Sequence, residues 1–144
     1  MSATNVLENG LLSLLFENAN YANVGDATGL RGSTTAGVFY ISLHTADPGE
    51  TGSQNTTESA YTNYARQSVA RSTAGWTVAS GTADNDAAIT YPQCGVTGST
   101  ITHVGIGSDT SGAGNLFLTG TASLVVSNGV TPSFAIGALD ITLD

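Results

Sequence analysis

The stretch Val38-Phe-Tyr-Ile-Ser-Leu-His-Thr-Ala-Asp-Pro-Gly-Glu50 places His44, Asp47 and Glu50 within seven residues. An imidazole and two carboxylates so close could ligate a metal or exchange protons. Convergence on one ion, however, needs a loop held in shape. Asp47-Pro48-Gly49 is turn chemistry instead: the aspartate accepts local N–H groups, the proline fixes φ and the glycine permits the reversal. Alternation puts His44 with Tyr40 and Ser42, opposite Phe39, Ile41 and Leu43. A strand running into an exposed turn accounts for each residue without catalysis. His103, in Thr-Ile-Thr-His103, could meet His44 across neighbouring strands. Zinc would need two more ligands, and a backbone carbonyl is the simpler partner for a strand histidine.

Asp84 and Asp86 form the tightest carboxylate pair. Glycoside cleavage requires two carboxylates flanking one bond, one of them desolvated. Acids on an asparagine-rich loop read more simply as solvated turn formers. The oxygens of Asp84, Asn85 and Asp86 suit calcium, but the spaced loop signature is missing. Cys94 is the only cysteine, which excludes an internal disulfide, and reads as a small, partly buried apolar residue. No Gly-x-Ser-x-Gly elbow occurs. The glycine-rich Gly105–Gly114 segment fits neither phosphate-binding fingerprint, and the chain has no lysine for phosphate. Asn55 heads an Asn-Thr-Thr acceptor, relevant only to secretion through a eukaryotic pathway. No catalytic, cofactor or metal site is expected.

The three cations are Arg31, Arg66 and Arg71. Arg66 and Arg71 sit among Tyr61, Tyr64 and Trp76, the residue types that anchor protein interfaces. Two readings stand level: a contact surface built from Tyr61, Tyr64, Arg66, Arg71, Trp76 and Arg31, or pairing of the arginines with internal carboxylates. Arg66 with Tyr64 is the preferred contact pair.

These residues need elements to position them. Residues 5–17 predict one helix, with Asn5 as cap, Glu8 reaching back in a capping box, and Leu7, Leu11, Leu14 and Leu15 as the docking stripe. Gly10 weakens it by about 1 kcal/mol relative to alanine. Residues 18–37 read as an extended arm or loop, and 45–64 as a long exposed loop. Extended runs are expected at 38–44 and at about 65–71, 75–80, 87–91, 100–107, 115–126 and 131–143. A glycine-rich hairpin loop spans 107–115, and Ser127-Asn-Gly-Val130 predicts a type I′ hairpin turn. The fold class is mainly β: a jelly-roll-like β-sandwich of about eight strands over 38–144, with one N-terminal helix, in a single domain over 1–144.

Composition narrows function. Of 144 residues 10% are charged, against about 25% in a typical soluble domain, and the net charge is −8. Nucleic-acid and anionic-membrane partners are excluded, because both need cations. No run approaches a membrane span. The N-terminal Leu-Leu-Ser-Leu-Leu-Phe run, short and flanked by Glu8 and Glu17, lacks a signal peptide's cationic start, so synthesis in a cytoplasm is expected. Lysine and glutamate are costly to desolvate and depleted at interfaces. A hydroxyl-rich surface nearly free of them suits lifelong packing against other proteins.

The segments NVLENGLLSLLF, FYISLHTADPGETG, YARQSVARSTAGWTV, AAITYPQC, THVGIGSDTSGAGNLFLTG and GVTPSFAIGALDITLD occur in that order. Together they resemble a family of small virion proteins of tailed bacteriophages, many labelled tail fibre proteins and some similar to head cement or decoration proteins. The resemblance implies a jelly-roll-like fold and a non-catalytic structural role in the virion. It implies a cement protein on the head exterior as first expectation, with the major capsid protein and further copies of the chain, as dimer or trimer, for partners. A tail-associated fibre or adhesin is the alternative, and a polysaccharide-cleaving enzyme using Asp84 and Asp86 ranks last. The glycine-rich segment at 22–37 departs from the pattern of shorter relatives and is expected to reach a neighbouring subunit.

Overall fold

The computed structural model describes residues 3–25 and 29–143. Among them lie one helix, α1 (Asn5–Phe16), and nine strands: β1 (Val38–His44), β2 (Gln67–Ala70), β3 (Trp76–Ala79), β4 (Thr82–Asn85), β5 (Ile89–Thr90), β6 (Ser99–Gly107), β7 (Leu116–Val126), β8 (Ser133–Phe134) and β9 (Asp140–Thr142). The protein is mainly β with a single helix, as the alternation predicted. Its sheets have the orders β2-β1-β6-β7, β3-β4-β9 and β5-β8. The β1–β6, β6–β7, β3–β4 and β4–β9 pairings are antiparallel.

The chain divides into two compact units, each discontinuous in sequence. A helical unit comprises Met1–Gly37, Ala70–Ile89 and Phe134–Asp144; a four-strand unit comprises Val38–Val69 and Thr90–Ser133.

In the helical unit α1 packs against β3 and β4. Its buried residues are Leu12 and Phe16, not the expected Leu7, Leu11, Leu14 and Leu15 stripe; Leu7 and Leu15 are 40% and 37% exposed. The docking face is rotated because Phe16 stacks edge-on against Trp76, with ring centroids 4.8 Å apart. Burying side chains of this size contributes roughly 2–3 kcal/mol each. The cap also shifts by one residue: Thr4 is N-cap, without a side-chain hydrogen bond, and Asn5 is already helical. Gly10 has a positive reason to lack a side chain, since a Cβ there would lie 2.5 Å from the Tyr21 ring.

That ring belongs to the segment expected to be an arm, and its described part folds back. Tyr21 and Leu30 exchange both backbone hydrogen bonds at 2.8 Å, and the Asn18 amide bonds the backbone of Ser33 through both ends. The Tyr21 hydroxyl donates to the Val6 carbonyl. Asp26, Ala27 and Thr28 of this segment lie outside the described residues.

The strand Thr82–Asn85 was not anticipated. Its Thr-Ala-Asp-Asn sequence is rich in turn formers, but pairing on both edges, with β3 and β9, overrides propensity. The 131–143 run is broken into β8 and β9, and the 87–91 run shortens to two residues. Ser127–Val130 does close a turn, Val130 N–H to Ser127 O at 2.9 Å. Only Gly129 has positive φ there, so the turn is not type I′. It does not make a hairpin either, since β7 pairs with β6 and β8 with β5.

Candidate functional site

In the four-strand unit β1 is central, and its residues are buried on both faces from Ile41 to His44. It is not the half-buried strand that its alternation suggested. Ser42 and His44 have no exposed surface. The His44 ring is held at both nitrogens. Nδ1 lies 2.8 Å from the Thr56 carbonyl, which can only accept, so Nδ1 carries the proton and Nε2 accepts from the Ser42 hydroxyl at 2.9 Å. Gly105 makes room for this pair, for a Cβ there would stand 2.7 Å from His44 Nε2 and 2.8 Å from Ser42 Oγ. Burial holds the His44 pKa below its ordinary value, against the opposing pull of the Thr56 hydrogen bond and of Glu58.

A serine hydroxyl, an imidazole and a carbonyl in a row have the connectivity of a nucleophile–base pair. Both side chains are sealed, so no substrate reaches them, and the row works as an internal strut. His103 does stand opposite His44, in register. Its Nδ1 instead meets the Thr102 hydroxyl at 2.9 Å. Among the described residues no three His, Cys, Asp or Glu side chains come together as a metal site.

Residues 45–64, expected as an exposed loop, fold over β1. Asp47 forms the anticipated turn, accepting from Gly49 N–H at 2.9 Å, with Gly49 at φ 72°. Beyond it Ser59 N–H bonds Leu43 O, Thr45 N–H bonds Thr57 O, and Gln54 is fully buried. Gln54 Nε2 donates to Tyr40 O at 3.2 Å, and its Oε1 accepts from Asp109 N–H at 2.8 Å.

Glu58 and Arg66 form the strongest polar contact in this unit. Arg66 Nε and Nη2 donate to the two Glu58 oxygens at 2.7 Å each, a bidentate pair. The remaining donors reach the Asp109 and Gly112 carbonyls at 2.8 and 2.6 Å, clamping the hairpin loop between β6 and β7. Tyr64 Oη donates to Glu58 and accepts from Leu43 N–H. Hydrogen bonding to Glu58 raises the Arg66 pKa, and burial raises that of Tyr64. Tyr61, its hydroxyl on the Pro92 carbonyl, is pushed up to about 12 by burial.

These geometries answer the arginine question. Arg66 is 7% exposed, Tyr61 2% and Trp76 0%; they are internal and offer no contact surface. Tyr64 spends its hydroxyl on Glu58 and Leu43. Arg71 donates to the Leu14, Leu15 and Ala36 carbonyls and so closes the C-terminal end of α1, where a cation suits the helix dipole. Only Arg31 of the six is exposed, at an apolar groove of about 370 Å³ lined by Leu11, Leu14, Leu15, Arg71 and Leu143. Internal pairing fits Arg66 because its charge is too costly to bury unpaired. Glu58 and Gln54 were missed; the one available signal was an acid eight residues before an arginine in a charge-poor chain.

Asp84 and Asp86 do not form a site. Asp84 faces Asp140 across the β4–β9 pair, and Asp86 accepts from the Thr77 hydroxyl at 2.6 Å. Asn85 is buried between them, its amide donating to Ala87 O and Ala135 O and accepting from Leu139 N–H. Cys94 is buried, its thiol on the Thr97 carbonyl at 3.3 Å.

Apolar and hydroxyl side chains are exposed on β7 and on the clamped loop. Val125 is 76% exposed and Phe117 50%, both on β7, while the clamped loop presents Thr110, Ser111 and Ala113. A family profile described as Podophage GP4 fiber I protein gp80 matches residues 2–142. No curated protein matches the chain.

Proposed function

Because the chain belongs to the Podophage GP4 fiber I protein gp80 family, we propose that it is a non-enzymatic structural subunit of the phage fibre apparatus. The match across residues 2–142 carries this reading and assigns the chain to phage virion proteins of fibre type. The chain works by holding neighbouring virion proteins, copies of itself among them, through lysine-free, hydroxyl-rich surface. Its scarcity of lysine and glutamate lowers the desolvation cost of such contacts. A non-catalytic role is supported by the sealing of Ser42 and His44, the pair nearest to a nucleophile and base. The second reading is a head-bound cement protein bridging major capsid subunits, favoured by the lysine-free, hydroxyl-rich and anionic composition.

Cryo-electron microscopy of virions carrying a tagged copy separates the two. Label at the fibre attachment is expected. Label confined to the head shell would replace the first reading with the second, and virions without label would overturn both.

A further inference from the structure

β7 ends the four-stranded sheet, so its outer edge is unpaired among the described residues. It is the longest strand, at 11 residues, and its sequence Leu-Phe-Leu-Thr-Gly-Thr-Ala-Ser-Leu-Val-Val has no charge and no proline. Natural sheets blunt free edges with lysine, proline or inward-pointing charge, because open backbone groups template pairing. None of these devices is present. Register shifts against β6 at Phe117 and at Ala122–Ser123 twist the strand locally but leave its edge neutral.

The exposed apolar residues are placed symmetrically. Phe117 and Val125 each lie four residues from Thr121, the strand's midpoint. They also share a face of the sheet. Phe117 stacks edge-on with Phe39, on the side of Ile41 and Ile106, and Val125 stands opposite Thr100, which alternates onto that side.

We propose that β7 pairs antiparallel with β7 of a second copy about a two-fold axis at Thr121, fusing two four-stranded sheets into one of eight strands. Phe117 of each copy then faces Val125 of the other, an aromatic–β-branched cross-strand pair. The small residues Thr119 to Ser123 let the backbones close at the centre. An 11-residue edge is about 37 Å long and roughly 10 Å thick. With the overhanging Phe117 and Val125 side chains, mutual burial totals on the order of 1,000 Å², enough for a reversible dimer. The pairing needs no other virion protein, so it stands whether the chain sits at a fibre or on the head.

Sedimentation velocity over a concentration series and disulfide trapping test it together. The wild-type chain is expected to dimerise reversibly, and V125K to weaken the dimer at least tenfold. F117E/V125K, which sets opposite charges across both symmetric pairs, should recover it. T121C places its thiol on the axis, where directly opposed Cα atoms lie about 4.5–5.5 Å apart, within disulfide range. It should oxidise to a covalent dimer, while T100C, on the neighbouring strand, should not. Circular dichroism and thermal melting of each variant separate failed folding from failed pairing. A chain monomeric at every concentration would overturn the proposal. So would a dimer unmoved by V125K, or a folded T121C that forms no disulfide dimer.

Discussion

The two compact units stabilise themselves in different ways. The helical unit has an apolar interior of Leu12, Phe16, Trp76, Ala83 and Leu139, and Asn85 is the one buried polar residue described there. The four-strand unit buries Ser42, His44, Gln54, Ser59 and Arg66. Apolar packing responds to volume and tolerates shape-conserving exchange. A buried polar network responds to single atoms, because each unmet donor or charge keeps its full desolvation cost. The four-strand unit should therefore be the more brittle and the more sensitive to pH. Its brittleness has a use: Arg66 and Gln54 fix the loop between β6 and β7, so its exposed tip, Thr110 to Ala113, is held in place although it carries no charged side chain itself.

The largest effect should come from breaking the Arg66–Glu58 pair. E58A leaves a guanidinium that is 2% exposed in the pair without its carboxylate, and removing one partner of a buried pair costs about 3–5 kcal/mol. Urea denaturation should show this loss, and E58A/R66M should cost well under the sum of its single variants. A loss below about 1 kcal/mol for E58A would mean that the network is slack and the contrast between the units is wrong.

The same contrast explains what was legible in the sequence. The β1 and β6 strands, the leucine-rich helix and the Asp47-Pro48-Gly49 turn are local signals, and the structure keeps them; the opposition of His44 and His103 is kept too, though it spans the chain. The helix face was read one position off because Trp76, 60 residues away, selects Phe16 and Leu12. β4 was hidden because its residues are turn formers and one of its two partners, β9, lies more than 50 residues away. The polar network was least legible of all. Gln54, Glu58 and Arg66 sit in a segment that looks like solvent-exposed loop, and only long-range closure over β1 makes them interior. Tyr61 and Trp76 misled in the opposite direction, since the residue types that anchor interfaces are also those that fill cores.

Asn85 measures the helical unit's single polar commitment. N85A would strand two carbonyls and one N–H, those of Ala87, Ala135 and Leu139. The expected loss is about 2–3 kcal/mol by the same denaturation assay, smaller than for E58A because no charge is left behind. Hydrogen exchange would add the location. Protection should fall first at β3, β4 and β9, whereas E58A should first expose β1 and the loop between β6 and β7. A reversed order would refute the assignment of each device to its unit.

The smallest effect is the most diagnostic of buried polarity, because it depends on one proton. His44 is neutral in the folded chain, its pKa lowered first of all by burial. Unfolded, it titrates near 6.5, so below that pH the unfolded chain binds a proton that the folded chain refuses. Stability must then fall as pH drops below about 6.5, by at most about 1.4 kcal/mol per pH unit, and the fall stops below the folded-state pKa. Protonation would also force Nε2 to donate toward the Ser42 hydroxyl it now accepts from, and would set a second cation in the field of Arg66. Denaturation midpoints compared between pH 7.5 and 5 should show this slope in the wild type and lose one proton's share of it in H44Q. An H44Q chain with the wild-type pH dependence would place the titrating group elsewhere and remove the pH contrast between the two units.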